Sequence, residues 1–594
     1  MPDGSLGLGS EGARRPMPFA YLASLKAATS KRDLAGLLGI PYSVLTRVLH
    51  GPPGERAYQH MEIPKARGGV RSIHVPPPRL KDVQIRLARY LLQCLREIEH
   101  AKGVVHPVSH AFHPERSIFT NARRHQGQRW VLNVDLLDFF HSIHFGRVSG
   151  YFERNADFEL DREIARTIAN LACMRGATGT LLPQGALSSP VISNLLGRAL
   201  DHRLRKIARR AKCRYSRYAD DLTFSTRQQG FPENIGRIEE CVGPDDPLMR
   251  WTVGDEVQQA IESAGFSINA FKTRMQHRGS RQVVTGLVVN QRTNVDQMTY
   301  KLLRAAADHT FRTGACVATH PALFSAKSPP GTLTLEALEG KLGFVCQARR
   351  QSSHPLPKPR EMKGPDLLFR RLVLYKRFVS PARPVVITEG ETDAIYLKAA
   401  IERLAGQVPA LGSGSEAKIE FLRASRQIRT FTGLNGGSDP IASFLAHYEQ
   451  DMEFIGARAP DHPVIVLLDQ DTGANKILHM IRNRHPTIGK IETLEFVPFV
   501  RNLYIVFTPL TAGGGETTIE DFLDPDALKV KLEGKTFHRD GKGFSNKKHY
   551  GKIPLAVKVV AANAASYDFG RFLPILKRIE RVLAHYAAPS VKSA

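Results

Sequence analysis

Strand-forming residues run through Arg214-Tyr215-Ser216-Arg217-Tyr218-Ala219-Asp220-Asp221-Leu222-Thr223-Phe224-Ser225 and are broken once, by two adjacent carboxylates. Aromatic and β-branched segments on both sides predict a tight hairpin with the acids at its tip. Neighbouring carboxylates repel, so a chain folded this way needs a cation there. A third acid stands in a similar context upstream. Trp130-Val131-Leu132-Asn133-Val134 is a short apolar strand that runs into Asp135, followed by Leu136-Leu137-Asp138-Phe139-Phe140. Three acids on adjoining strand ends can hold two divalent metals about 3.5–4 Å apart, an arrangement that activates a hydroxyl and stabilises a leaving pyrophosphate. Phosphoryl transfer is the leading chemistry.

The formal charge of +26 in 594 residues is most economically used to neutralise phosphates, and the hydrophobic fraction of 42% allows sizeable cores. Polyanionic partners are expected. The six cysteines form no C-x-x-C pair, so neither a zinc knuckle nor a disulfide framework is suggested and a reducing cytoplasm fits best. No run of around 18 apolar residues occurs, which argues against membrane spanning.

The acid motifs resemble those of the reverse transcriptases, and among them the retron type. Residues 135–140 look like the family's first catalytic motif, Pro183-Gln184-Gly185 with Ser189-Pro190 and Asn194 like its second, and Tyr218-Ala219-Asp220-Asp221 like its third. Asn121-Ala122-Arg123-Arg124-His125 resembles the N-A-x-x-H element of retron enzymes, and Val284-Thr285-Gly286 their V-T-G element, linked in that family to recognition of their own structured RNA. Read alone, His125 is a packed or capping histidine.

The resemblance implies an α+β right-hand polymerase with fingers, palm and thumb. Asp135, Asp220 and Asp221 would ligate two Mg2+ or Mn2+ ions. Lys65 and Arg71, on a hairpin around Gly68-Gly69, would clamp a triphosphate. Gln184 would contact the nucleotide, Phe140 would exclude a 2′ hydroxyl, and Lys272 would face the leaving phosphates. Asn121, His125, Val284, Thr285 and Gly286 would serve RNA recognition. Ser189 is expected to cap the helix that begins there, and Phe139 to be core. The basic run 203–217 has few interleaved acids and reads as phosphate contact.

Two amphipathic helices are expected over 19–50 and a longer one over 81–99. The organisation expected is an N-terminal helical element over 1–60, fingers and palm over 61–295, a helical thumb over 296–350, a basic proline-containing linker over 351–383, a second domain over 384–530 and its basic extension over 531–594. In that second domain, Pro384-Val385-Val386-Ile387-Thr388 runs into Glu389-Gly390, and Pro463-Val464-Ile465-Val466-Leu467-Leu468 runs into Asp469-Gln470-Asp471. Buried strands of a doubly wound sheet end at the ligand face, so Glu389, Asp469 and Asp471 would converge.

This half resembles a TOPRIM domain, an α/β Rossmann-like fold, which implies one or two further Mg2+ or Mn2+ ions and hydrolysis of an RNA or DNA target. Glu520 or Asp521 would serve a second ion. Aromatics interleaved with cations over 546–578 suit nucleic acid or a basic surface over an aromatic core.

Together the resemblances imply a retron reverse transcriptase fused to a TOPRIM effector in bacterial antiphage defence. It would prime from a 2′ hydroxyl of guanosine, use dNTPs, and stay bound to its noncoding RNA and msDNA product, with homo-oligomers possible in that complex. The alternatives are an intron-type maturase and a nucleoprotein scaffold with a non-catalytic second domain.

Overall fold

The computed structural model describes residues 20–588 apart from 65–68, 104–107, 177–178, 243–246, 319, 321–322, 324–330, 351–356 and 540–543. The chain divides into two units, Met1–Asp296 and Gln297–Ala594.

The first unit opens with three short helices, α1 (Tyr21–Ala27), α2 (Lys31–Leu37) and α3 (Tyr42–His50), where two were expected. Ser30 makes the additional break. Its hydroxyl accepts from the Asp33 amide while the Asp33 carboxylate accepts from the Ser30 amide, a reciprocal cap that starts a helix. Strands β1 (Gln59–Pro64) and β2 (Val70–Val75) form the basic hairpin, with Ile63 opposite Arg71, and Lys65 lies outside the described residues. Helix α4 (Pro78–Ala101) buries Leu80, Val83, Leu87, Leu91, Leu95 and Ile98 at three- and four-residue spacing.

Next come α5 (Ile118–Arg124), β3 (Trp130–Leu137), α6 (Phe145–Arg154), α7 (Arg162–Ala172), β4 (Met174–Gly176), β5 (Gly179–Leu181) and α8 (Ser189–Arg210). The unit is completed by β6 (Arg214–Tyr218), β7 (Asp221–Thr226), β8 (Gly236–Val242), β9 (Pro247–Val253), α9 (Asp255–Ser263), β10 (Ser267–His277), β11 (Val283–Val284) and β12 (Leu287–Val288). Its central sheet is antiparallel, in the order β10-β3-β7-β6.

The second unit begins with α10 (Gln297–Thr313), α11 (Leu335–Arg349) and α12 (Pro365–Leu374). The helices expected as a thumb therefore group with the second half of the chain. The expectation of a linker over 351–383 is corrected as well. Helix α12 and the π-helical turn Tyr375–Val379 bury Leu372, Leu374, Tyr375, Phe378 and Val379, and an apolar stripe of that length has to pack.

Beyond them lie β13 (Val385–Thr388), α13 (Glu391–Arg403), β14 (Glu420–Phe421), α14 (Arg426–Thr432), α15 (Ser438–Asp451), β15 (Val464–Leu468), α16 (Asn475–Arg484), β16 (Val497–Val500), β17 (Leu503–Phe507) and α17 (Pro525–Lys529). The sheet order is β14-β13-β15-β17-β16, parallel except for the edge strand β16. Residues 531–594 are no appendage. Leu555, Val559, Val560, Phe569, Phe572, Leu576 and Ile579 join the core over this sheet, so Phe569 and Phe572 are packing residues that cannot stack on bases. Among the described residues no helix is long and apolar enough to cross a membrane.

Candidate active sites

Pairing register brings the first acids together. Asp135 on β3 stands opposite Asp221 on β7, and the Leu136 amide donates to the Asp220 carbonyl at 3.0 Å, stapling the hairpin tip beside Asp135. The tip is a two-residue turn between Tyr218 and Asp221 in which Ala219 has φ +56°. A residue with a Cβ enters that region at a cost of about 1 kcal/mol, so something must hold it. Arg217 does so. Its guanidinium donates to the Ala219 carbonyl at 3.2 Å and clasps Asp201 on α8, from Nε to Oδ1 at 2.8 Å and from a terminal nitrogen to Oδ2 at 2.7 Å.

Arg217 is therefore fully buried, which corrects its reading as a phosphate contact. Asn194 braces the same cluster, donating to the Ala111 carbonyl at 2.8 Å and accepting from Ser109 Oγ at 3.0 Å. A Cβ on Gly197 would meet the Arg217 guanidinium at 2.7 Å, so α8 carries glycine at that point. Asp201 and Arg217 were missed as a pair. The signal for them was an acid set between Leu200 and Leu204 on the buried stripe of α8.

Burial, then repulsion from Asp220 and Asp135, push the Asp221 carboxyl up to about 6; Asp220 is also raised, by burial and by Asp135. Lys272 opposes this. A bulge in β10 between Asn269 and Arg274 carries it inward, and its Nζ lies 2.9 and 3.2 Å from the two Asp135 oxygens, while Asn269 Nδ2 donates to the same carboxylate at 3.1 Å. The expectation placed Lys272 toward phosphates; here its ammonium sits on Asp135.

Gln184 lies on a loop whose backbone accepts from the His74 amide of β2 at 2.7 Å. Gly185, at φ +119°, approaches β2 so closely that a Cβ would lie 2.6 Å from the His74 carbonyl. The Ser189 hydroxyl donates to the Pro183 carbonyl at 2.7 Å, so it ties this loop down; it caps nothing. Arg71 on β2 is exposed, and its charge reaches Asp220. Phe140 is half-buried with its ring 6.2 Å from Phe112, whereas Phe139 is core, stacked on Phe266 at 5.3 Å.

The two retron-like elements meet. Helix α5 packs on the β11–β12 hairpin, whose turn is Thr285 and Gly286 at φ +46° and +81°, and Thr285 Oγ1 donates to the Ile118 carbonyl at 3.2 Å. At the other end of α5, His125 is fully buried, with Nδ1 at 2.7 Å from Ser225 Oγ and Nε2 at 2.7 Å from Ser216 Oγ; Ser216 Oγ also donates to Asn121 Oδ1 at 2.6 Å. Asn121, His125 and Val284 are thus buried, so any part they take in RNA recognition is through the packing of this element. Gly286 is exposed and Thr285 partly so.

In the second unit Glu389 follows β13, and Asp469 and Asp471 follow the adjacent parallel strand β15. Asp469 Oδ1 accepts from the Ile519 amide at 2.8 Å, and Gly437, in the Asn435-Gly436-Gly437 turn, donates its amide to the Glu389 carbonyl at 3.0 Å. Two further acids crowd in. Asp393 accepts from the Gly390 amide at 2.7 Å, and buried Glu520 pairs with Lys552 Nζ at 2.9 Å. Burial, then repulsion from Asp393, Glu520 and Glu389, push Asp469 up to about 8; burial and Glu520 push Asp393 up to about 6. Glu389 is raised by burial and by Asp471. Asp521 instead turns to Thr518 and Arg539. A cavity of about 1330 Å³ opens beside Glu389, lined among others by Lys398, Phe421 and Arg423.

Among the described residues no three His, Cys, Asp or Glu side chains close on a common point tightly enough to enclose an ion as they stand. The chemistry of both donor sets nonetheless fits hard divalent cations. They are all-oxygen and mutually repelling, and burial with repulsion raises the pKa values of Asp220, Asp221, Glu389 and Asp469.

The reverse transcriptase (RNA-dependent DNA polymerase) family matches residues 63–303. The Retron Mx65 reverse transcriptase of Myxococcus xanthus is 31% identical over 351 residues, covering 56% of this chain and 72% of its own length. The Retron Mx162 reverse transcriptase of the same organism is 38% identical over 39% of this chain and 47% of its own. The Retron Ec86 reverse transcriptase of Escherichia coli is 32% identical over 41% of this chain and 66% of its own. Among solved structures, telomerase from Candida albicans aligns over 73% of this chain and 67% of its own at 11% identity with a TM-score of 0.32, too loose a superposition to assign anything. With a relative matched over most of its length, the chain belongs to the retron reverse transcriptases.

Proposed function

We propose that the chain is the RNA-directed DNA polymerase of a retron, and that Asp135, Asp220 and Asp221 hold its divalent ions. The observation that carries this reading is the register that sets Asp135 against Asp221 with the Asp220 carbonyl stapled to Leu136. Two bound Mg2+ or Mn2+ ions would supply a more acidic attacking hydroxyl and charge neutralisation at the leaving pyrophosphate.

The chain's own side chains do the rest. Arg71, reaching out from the β1–β2 hairpin, contributes positive charge for a triphosphate, and Gln184 is presented by a loop anchored to that hairpin. Lys272 neutralises Asp135 in the free chain and has an exposed side chain that can turn to phosphates instead. Phe140 offers a ring edge where a ribose 2′ hydroxyl would fall, favouring dNTPs. The template is a structured noncoding RNA, primed from a guanosine 2′ hydroxyl to give RNA-linked msDNA. The test is extension of a primed RNA template by the purified chain with dNTPs and Mg2+. DNA product that disappears on chelation is expected, and its failure to form with active, folded protein overturns the reading.

A second reading concerns the other unit. Glu389, Asp469 and Asp471 at the ends of neighbouring parallel strands support a metal-dependent TOPRIM hydrolase, an effector acting on RNA or DNA in antiphage defence. Metal-dependent cleavage of either nucleic acid by the wild-type chain, lost in Glu389→Ala, is the expected result; cleavage undiminished in that variant assigns the activity elsewhere.

A further inference from the structure

The four-stranded sheet of the first unit is electrically polar. Its acids lie at one end of β3, and the same registers fix what emerges at the other. Trp130 stands opposite both Thr226 and His277, and Arg214 opposite Ser225. Arg129, Arg227 and Arg278, each next to one of those strand ends, therefore surface along one rim together with Arg214.

Backbone bonds knit the rim. The Arg129 amide donates to the Thr226 carbonyl at 2.9 Å, and the Arg278 amide donates to the Arg129 carbonyl at 2.8 Å. At about 4.8 Å per strand, four positions span roughly 14 Å, and the rim lies roughly 17 Å along β3 from Asp135.

Arg214, Arg227 and Arg278 are exposed, and none of the four arginines has a carboxylate within 4 Å among the described residues. The Nε of Arg129 is buried without a hydrogen-bond partner. Arg214 and Arg227 are close enough to repel, and burial together with that repulsion lowers the Arg214 pKa. Uncompensated like charges held side by side need an external polyanion. Aromatic rings stand beside them. Trp130 lies 4.4 Å from His277 and 6.1 Å from Trp251, and Phe231 lies 5.8 Å from Trp251, all half-buried.

We propose that this rim docks structured RNA at a distance from the reacting end, the phosphates of the RNA crossing Arg214, Arg227 and Arg278 and one of its unpaired bases resting on the Trp130–Trp251 rings. Guanidinium forks match phosphate oxygens, and rings accept any base. The proposal rests on the reading of this unit as an RNA-copying enzyme.

The test compares the full chain with an Arg214→Gln/Arg227→Gln/Arg278→Gln variant and its all-lysine counterpart. Binding to a long RNA hairpin is titrated against salt, and extension of a short DNA primer on a homopolymer RNA is measured alongside. Every phosphate left without its arginine lowers the log–log salt slope by about 0.9, so the glutamine variant is expected to lose between two and three units of slope while the lysine variant retains it. Primer extension stays at the wild-type level, and Trp251→Ala weakens hairpin binding without altering the slope. Unchanged hairpin affinity and slope in the glutamine variant overturn the proposal, as does rim-dependent binding of phosphatidylserine vesicles with no effect on RNA. A wild-type chain that extends no primer would sink the polymerase reading instead, with the hairpin titration still deciding the rim.

Discussion

In the first unit the acids ride a hairpin tip and the flank of a central antiparallel strand; in the second they close the ends of two parallel strands. The surroundings charge them differently. At the tip, Lys272 sits on Asp135, and Arg71 and Arg274 lie within electrostatic reach, so Asp221 rises only to about 6. In the second unit Glu389, Asp393, Asp469 and Glu520 all lie within reach of Lys552, and Asp469 still rises to about 8. At neutral pH Asp221 is therefore mostly ionised, whereas Asp469 holds a proton that a cation has to displace. Burial raises the acids at both sites; three repelling acids around Asp469, against two around Asp221 with Lys272 and Arg274 in reach, account for the contrast.

Asp220→Asn separates the sites most sharply. Primer extension should fall at least about a thousandfold, ~4 kcal/mol of barrier, while any cleavage by the second unit is unaffected. Retained synthesis would show that the hairpin acids are not the ligands. Arg217→Met leaves Asp201 buried with Tyr215 alone as a hydrogen-bond partner, and urea denaturation should report a loss of about 3 kcal/mol in the first unit's transition. Replacing Asp201 by Leu in the same chain should recover most of it. A second site run by Glu389 should lose about a hundredfold in hydrolysis in Glu389→Gln, with synthesis intact.

Phe140→Ala should relax discrimination against ribonucleotides by about tenfold to a hundredfold, measured as a ratio of kcat/KM values.

The smallest effect is on the pH axis. Raised carboxyl pKa values mean that Asp221 contributes stability below its ordinary value near 3.8, lost as pH climbs through about 6, and Asp469 loses its contribution through about 8. Divalent ions should therefore stabilise the chain more at pH 8 than at pH 5. Below each value metal affinity should weaken by up to about tenfold per pH unit, with the second site's plateau reached at higher pH than the first's. Coincident plateaus, followed by calorimetry on the two single-site variants, would remove the contrast.

The acids were legible because each adjoins a strand-forming run, a pattern local enough to read without a fold. Asp201 and Arg217 were not, since a cation in a basic run reads as a phosphate contact until a helix acid is found beneath it. The inward turn of Lys272 depends on a register slip in β10, which no spacing announces. The Ser30–Asp33 cap was written in plain S-x-x-D form, and the core role of residues 569–579 in the three- and four-residue spacing of Phe569, Phe572, Leu576 and Ile579. Reading charge before period obscured the second.

His125 is clamped between two serine hydroxyls, and burial, then the nearby Arg124, drive its pKa far below the usual imidazole range. That environment favours the neutral ring. The strands beneath the hairpin acids are thus joined by an uncharged imidazole bridging two hydroxyls, and acidification meets the carboxylates before it meets this inner lining.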